Sequence, residues 1–277
     1  MSSRKPLDRR ALFASGAAAA FLAATGAGAG PLPQRGGTLR LALSGAARSD
    51  DWLRGDGLFM QIARQGLVYE TLTEVAADGT LRPELATGWH SSADARVWTF
   101  DLRKDVIFHD GTAFTARDAA HSLAALGEVH VLTPARIAVT LAAPDRVLPF
   151  TLAQPAHVIR PAHAPAAGIG TGLYAVRHFA AGQQLVTARV AAHWKDGQAG
   201  WFDGVTLSSI PSGTVRAQAV AEYLVDGADL TDTDALAAFD DIARWEGHAV
   251  ARSVAMPAAL GLRPFDDLRA PQRWWGA

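Results

Sequence analysis

The chain has 277 residues, of which 49% are hydrophobic and 19% charged, enough to bury the core of one or two domains. It has no cysteine, which excludes disulfides, thiolate zinc sites, cysteine nucleophiles and a lipidated N-terminal cysteine. Lysine and arginine together number 26 against 27 acidic residues, so there is no basic surplus for nucleic acid, and we expect no nucleic-acid partner.

Residues 1–29 have the three-part pattern of a secretory signal. Its basic segment contains Arg4, Lys5, Arg9 and Arg10. A weakly apolar stretch follows, and Ala27-Gly28-Ala29 fits a cleavage site. The adjacent arginines resemble a twin-arginine export signal, whereas the apolar stretch is shorter than the roughly 20 residues of the alternative, a membrane anchor. Cleavage removes four basic residues and one acidic residue and leaves 22 against 26. We therefore expect a soluble periplasmic protein.

The first third of the chain contains strand and helix patterns in alternation. Residues 38–43 alternate large apolar with smaller or polar side chains, which predicts a strand, and the polar residues 44–57 predict a loop. Apolar residues near helical spacing predict a short helix over residues 58–68. Residues 97–102 alternate again and predict a second strand.

A capping box and a hairpin follow that strand. Thr115 and Asp118 have the spacing at which a hydroxyl and a carboxylate cap each other's backbone N–H groups, which predicts a helix to about residue 126. Residues 129–132 and 137–141 predict a hairpin. We expect three aromatic side chains of this region to be buried: Trp98, Phe100 and Phe108.

The second half mixes strands and helices as well. Residues 174–179 and 185–190 predict a hairpin, and residues 205–210 predict a strand. Two helices are predicted, over residues 211–224 and 234–245. The mixture indicates the α/β class.

Sequence motifs for catalysis or cofactor binding are weak. Residues 168–172 have the composition of a phosphate-binding loop, but a strand pattern follows them instead of the helix N-terminus that such a loop needs. The histidines form no His-Glu-x-x-His motif, and no Gly-x-Ser-x-Gly elbow occurs. We therefore expect no catalytic residue, no metal site and no cofactor, and a protein that is not an enzyme.

A series of ordered motifs resembles the extracellular solute-binding proteins, family 5, which serve peptide and nickel ABC importers. The motifs are, in chain order, Tyr69-Glu70-Thr71-Leu72, Leu81-Arg82-Pro83-Glu84-Leu85-Ala86, Gly88-Trp89, Trp98-Thr99-Phe100-Asp101-Leu102-Arg103, Val106-Ile107-Phe108-His109-Asp110-Gly111 and Gly170-Thr171-Gly172-Leu173-Tyr174. In the last motif Leu173 stands where the family has proline. The resemblance extends over roughly residues 36–270.

The resemblance implies a periplasmic-binding-protein-like fold of type II. It implies that residues 30–57 and 161–230 form domain I and that residues 58–160 form a small inserted domain II. Residues 231–277 then form a linker and the start of domain III. Family members continue well beyond this length, so we expect the second lobe to be largely missing.

The same resemblance implies a function. We expect a periplasmic solute-binding component that hands peptides or similar small solutes to an inner-membrane ABC permease and meets the membrane only through that permease. The alternative is an interaction or scaffold protein that does not transport, or a non-functional remnant of the fold. A contiguous apolar patch on the surface that domain III covers would favour the scaffold.

Two short segments provide candidate ligand contacts. In the loop after the first strand an arginine has the chemistry to pair with a carboxylate, and a tryptophan has the shape to cover an apolar part of the ligand. The alternative for each is a solvated loop or a structural turn. The six candidates are Ser44, Arg48, Trp52, Thr171, Gly172 and Tyr174.

Overall fold

The described part of the chain contains a seven-stranded sheet, a four-stranded sheet and a two-stranded ribbon. A computed structural model describes residues 35–76, 79–231, 236, 239–246 and 253–257. The signal-like residues 1–29 and the residues after 257, including the predicted start of domain III, lie outside these ranges.

The seven-stranded sheet has parallel strands at its centre and antiparallel strands on both flanks. β1 (Thr38–Leu43) pairs in parallel with β10 (Gly204–Ser209) and with β11 (Gly227–Leu230). The flanking strands are β8 (Tyr174–Ala180) and β9 (Gln184–Arg189), which form a predicted hairpin, and β12 (Ile242–Glu246) and β13 (Ser253–Pro257). The carboxyl ends of the three parallel strands therefore meet at one edge, which is where open α/β sheets bind ligands.

The strand predicted over residues 38–43 is confirmed as β1, with one face buried along its length and the other buried only at Ala42, since Thr38 and Arg40 are exposed. Leu39, Leu41 and Leu43 pack in one core with the helical segment after residue 57, and Ala42 packs in another with α4 (Gly213–Ala221). The buried positions of β1 are therefore apolar, and its two polar side chains lie at the exposed positions of its first half.

The four-stranded antiparallel sheet carries a separate core. In spatial order its strands are β4 (Ala86–Ser91), β5 (Val97–Leu102), β7 (Arg136–Thr140) and β6 (Glu128–Thr133). The strand predicted over residues 97–102 and the hairpin predicted over residues 129–141 are thereby confirmed. The predicted aromatic residues Trp98, Phe100 and Phe108 are all buried in this core.

Helical segments cover this second core and connect it to the large sheet. α2 (Ala116–Leu123) begins with the predicted capping box of Thr115 and Asp118. α3 (Leu148–Thr151) and a 3₁₀ turn, Pro155–His157, lead back towards β8. The ribbon consists of β2 (Thr73–Val75) and β3 (Leu81–Pro83).

The helix predicted over residues 58–68 is confirmed, but its second part is wider than an α-helix. One α-helical turn, α1 (Leu58–Gln61), continues as a π-helix, Ile62–Val68, whose seven residues are all buried. This segment packs in the same core as β1. The predicted boundary between domains I and II at residue 58 stays a prediction.

The predicted helix bounds near the C-terminus need correction. The helix predicted over residues 234–245 is wrong in its last part, because Ile242–Glu246 forms β12 and pairs with β13. Pairing with another strand overrides the local helix propensity there. Most of residues 232–238 lie outside the described ranges. α4 ends at Ala221 instead of residue 224, and Tyr223 has a left-handed backbone with φ of 57°, which stops the helix.

Candidate functional site

A buried carboxylate, Asp229 of β11, organises the carboxyl edge of the parallel strands. Ser44, the residue after β1, donates its backbone N–H to Oδ1 of Asp229 at 2.8 Å and its hydroxyl to Oδ2 at 2.6 Å. Asp229 is fully buried. Ser44 therefore joins the ends of two strands, and its predicted contact with a ligand stays a prediction.

Arg216 of α4 provides the counter-charge at this edge. Its Nε lies 3.3 Å from Oδ1 of Asp229 and donates to the Asp229 carbonyl oxygen at 2.7 Å. One terminal nitrogen donates to the carbonyl oxygens of Ile210 and Pro211 at 2.6 and 2.9 Å. A buried ion pair is stable only when such additional hydrogen bonds offset its desolvation. The charges of Asp229 and Arg216 therefore balance at this edge, and their hydrogen bonds hold the start of the loop that follows β1.

Close backbone contact and a capping aspartate shape that loop, residues 44–57. A Cβ on Gly57 would lie 1.7 Å from the carbonyl oxygen of Gly45, so only glycine fits at this crossing. Asp50, which is buried, accepts the Ala47 N–H at 2.7 Å. Arg48, a predicted ligand contact, lies on the same loop with an exposed side chain.

Trp52 of this loop lies in the core. Only 7% of its surface is exposed, and its ring packs on Phe179 at 4.9 Å and edge-on against Tyr69 at 6.0 Å between centroids. A Cβ on Gly168 would lie 2.6 Å from the indole, so the ring also covers that glycine. Trp52 thus brings the loop against the glycine-rich segment 168–172. Its predicted stacking on a ligand stays a prediction.

The glycine-rich segment is held by backbone contacts to the π-helix. Gly172 donates its N–H to the Val68 carbonyl oxygen at 2.8 Å, and a Cβ on Gly172 would lie 2.3 Å from the Leu67 carbonyl oxygen. Tyr174 is fully buried and donates its hydroxyl to the Phe202 carbonyl oxygen at 3.3 Å. This part of the chain therefore has clear structural roles, and the predicted ligand contacts of Gly172 and Tyr174 stay predictions.

Two histidines fix the carbonyl groups of the same segment. His193 donates from Nε2 to the Thr171 carbonyl oxygen, and His109 donates from Nε2 to that of Gly172, both at 2.8 Å. The Nδ1 atom of His109 accepts the Gly170 N–H at 3.3 Å, so the ring is the neutral Nε2–H tautomer. Burial lowers the pKa of His109 below its ordinary value, in agreement with a neutral ring.

A cleft of about 690 Å³ lies beside these histidines, between β8 and the turn before α2. Thr171 and Gly172 line it, so two of the six predicted residues border this space. The Thr171 hydroxyl is buried and lacks a hydrogen-bond partner among the described residues. Arg177 and Ile107 line the cleft as well. The cleft has the size of a small-molecule site.

Behind the cleft lies a buried charge cluster that sequence reasoning missed. Lys195 is 1% exposed and contacts Glu70 and, at 2.6 Å, Oε1 of Glu84. Trp194 donates its indole N–H to Glu70 at 3.2 Å. Thr71 donates its backbone N–H and its hydroxyl to Oε2 of Glu84 at 3.0 and 2.6 Å. The cluster connects the ribbon region to residues 193–195 of the large-sheet region.

The sequence contained part of the signal for this cluster. Both glutamates belong to the motifs quoted for the resemblance, yet the lysine that joins them lies 111 residues after Glu84. Arg48 and the glycine-rich segment 168–172 lie on different loops of the described chain. Trp52 brings the two segments that carry the six predicted residues into contact, and their shared role in ligand binding stays a prediction.

The described residues include no group of three or more His, Asp or Glu side chains arranged to hold a metal ion. None of the described helices combines the length and the apolar character that a membrane crossing needs.

Comparison with known proteins identifies relatives over most of this region. The family model of the bacterial extracellular solute-binding proteins, family 5 Middle, matches residues 80–252. The nickel-binding periplasmic protein of Escherichia coli K12 is 28% identical over 240 residues, which cover 76% of this chain and 45% of that protein. The chain thus spans less than half the length of this relative.

Solved structures agree with the fold. The periplasmic binding protein AgaA of A. tumefaciens R10, in complex with agropinic acid, is 25% identical with a TM-score of 0.63, and the match covers 70% of this chain and 44% of AgaA. The ABC transporter-associated binding protein DppA of Helicobacter pylori, with the peptide STSA, is 20% identical with a TM-score of 0.66, over 78% of this chain and 51% of that one. These matches confirm the predicted α/β fold of type II periplasmic binding proteins.

Proposed function

Because the chain belongs to family 5 of the bacterial extracellular solute-binding proteins, we propose that it binds a peptide or similar small solute in the periplasm and delivers it to an inner-membrane ABC permease. The observation that carries the proposal is the family match over residues 80–252 on a fold shared with binding proteins of transporters. The chain spans about half the length of these relatives, so solute, permease and transport are all part of the proposal.

The architecture of the parallel edge supports solute binding. Three parallel strands end beside the loop 44–57, and the buried pair of Asp229 and Arg216 holds that edge without leaving a net charge. Open α/β sheets bind their ligands outside such an edge. Of the six proposed contacts, Arg48 has an exposed side chain, so a solute reaches it without rearrangement of the core.

The domain assignment belongs to the proposal as well. We place residues 30–57 and 161–230 in domain I, with domain II inserted between them and residues 231–277 leading towards domain III. The packing of Leu58–Gln61 and Ile62–Val68 with β1 supports adding that segment to domain I.

Calorimetric titration of the purified chain tests the proposal. The panel contains the dipeptide Met-Leu, the tetrapeptide STSA and a nickel–histidine complex, since relatives are named for peptides and nickel. We expect one class to bind with a saturable heat and to raise the thermal unfolding midpoint, because a ligand of the folded state stabilises it. No binding by any member, with the chain shown to be folded by circular dichroism, would contradict solute binding.

A further inference from the structure

Two arginines, Arg64 and Arg160, lie near Tyr69 and close to the loop 44–57. Arg64, in the π-helix, is only 5% exposed, and its guanidinium donates to the carbonyl oxygens of Met60 and Gly55. The guanidinium carbon of Arg160 lies 5.9 Å from the centre of the Tyr69 ring. Burial lowers the pKa of Arg64 below its ordinary value, and the positive charge of Arg160 lowers it further.

This group of donors has unmet hydrogen-bonding capacity. Among the described residues, no carboxylate oxygen lies within 4.0 Å of a guanidinium nitrogen of Arg64 or Arg160, the distance that defines an ion pair. The Nε atom of Arg160 is buried without a partner, and no acceptor for the Tyr69 hydroxyl proton is present in the same set of residues. Burial raises the pKa of Tyr69 to about 12, so the phenol keeps that proton at neutral pH.

Nearby acidic side chains are already engaged or exposed. Asp50 accepts the Ala47 N–H, and Asp51 accepts the N–H groups of Leu53 and Arg54. Asp56 is exposed to solvent. Their charges act on Arg64 and Arg160 from a distance, but they do not satisfy the guanidinium donors. The pair thus lacks the direct partner that buried charges normally have.

The missing partner has the chemistry of a carboxylate. Guanidinium groups bind carboxylates through parallel N–H donors, and a carboxylate has two oxygens with about four acceptor positions. These acceptor positions are enough for N–H donors from both arginines and for the hydroxyl of Tyr69. We propose that Arg64, Arg160 and Tyr69 form the subsite that receives a carboxylate group of the bound solute. This inference rests on the proposed function and specifies the solute class as organic acids, including peptides with a free C-terminus.

The main test compares a dipeptide acid with its amide. Met-Leu and Met-Leu amide are titrated calorimetrically into the wild-type chain, Arg160→Gln and Arg117→Gln. Arg117 is an exposed arginine of α2 and serves as the matched control. We expect wild type and control to prefer the acid by about 10- to 100-fold, the range for hydrogen bonds to a charged group. Arg160→Gln should reduce the preference to about threefold or less. An unchanged preference in Arg160→Gln would overturn the subsite and leave solute binding intact.

A second measurement decides the matter if the wild-type chain binds neither dipeptide. Thermal unfolding is recorded in sodium acetate, sodium sulfate and sodium chloride at equal ionic strength. Acetate should raise the unfolding midpoint above that in chloride for wild type and Arg117→Gln but not for Arg160→Gln. Equal midpoints in acetate and chloride for wild type, or a rise confined to sulfate, would overturn the carboxylate subsite. The acetate measurement therefore tests the carboxylate subsite even if the chain binds no dipeptide.

Folding of the variants is verified by circular dichroism and by the midpoint in chloride. Arg160 is the first choice because its side chain is partly exposed, whereas Arg64 is deeply buried. If Arg160→Gln does not fold, Tyr69→Phe removes only one hydroxyl and replaces it in both measurements. It should weaken binding of the acid, or of acetate, by about three- to tenfold, the value of one hydrogen bond. Unchanged binding of the acid in Tyr69→Phe, or unchanged acetate stabilisation where no dipeptide binds, would overturn the inference.

Discussion

Replacing Lys195 with methionine leaves two buried glutamates without their shared ammonium group. Lys195 is 1% exposed, and the side chains of Glu70 and Glu84 are each 4% exposed, so water does not reach the cluster readily. Methionine keeps the length and most of the volume of lysine. The substitution therefore tests the charge of Lys195 with little change in packing.

The expected loss follows from the remaining contacts. Removing one partner from a buried ion pair costs about 3–5 kcal/mol, because the other charge stays desolvated. Both glutamates keep donors, the Trp194 indole on Glu70 and the Thr71 backbone N–H and hydroxyl on Glu84. These hydrogen bonds offset part of the loss, so we expect a decrease of about 3 kcal/mol in the free energy of unfolding.

Urea unfolding followed by tryptophan fluorescence measures this decrease. With a slope of about 2–3 kcal/mol/M, the midpoint should fall by about 1–1.5 M. Lys104→Met, at an exposed position, is the matched control and should change the midpoint little. Adding Glu84→Gln to Lys195→Met should recover part of the loss, because it removes one uncompensated charge. A Lys195→Met midpoint equal to that of the control would refute the buried cluster.

Two further predictions concern the second core and the histidine beside the cleft. Phe100→Ala should lower the free energy of unfolding by about 3–5 kcal/mol, because the side chain is fully buried. Val97→Ala, on the same strand, should lower it far less, because Val97 is 37% exposed. Equal urea midpoints for the two variants would contradict the assigned face of the strand. Burial lowers the pKa of His109 in the folded state below the unfolded value of about 6.5, so the unfolded state binds more protons and stability falls as the pH drops through that value. His109→Gln should therefore weaken the pH dependence of the thermal midpoint between pH 7 and 5, and an unchanged slope would speak against a buried neutral ring.

Local signals predicted much of the fold. The alternation of residues 97–102 and the capping pair of Thr115 and Asp118 act within one strand or one helical turn, and both were found as predicted. The helix predicted over residues 234–245 was wrong at its end because Ile242–Glu246 pairs with β13, a partner that local propensity does not include. The π-helical form of Ile62–Val68 had no recognisable signal in the spacing of apolar residues.

The site was less predictable because its contacts join distant parts of the chain. Ser44 was singled out from its loop position, but its partner Asp229 lies 185 residues later, and nothing in the composition of either segment indicates their pairing. Trp52 has the residue type of an exposed ligand contact and the environment of a core residue, since Tyr69 and Phe179 cover it. Burial depends on tertiary packing, so residue type alone did not distinguish the two roles.

The contacts of the loop 44–57 also bear on how a solute would bind. The loop is held at its start by Ser44 on Asp229, in its middle by the buried ring of Trp52, and near its end by the Gly55 carbonyl oxygen on Arg64. A loop fixed at three points loses little conformational entropy when a ligand arrives, so less of the interaction energy is spent on ordering it. Under the proposed function, the affinity of this edge then depends on the chemistry of its donors. Arg64 takes part in both the loop anchor and the proposed carboxylate subsite, so an occupied subsite would also strengthen the anchor at the end of the loop.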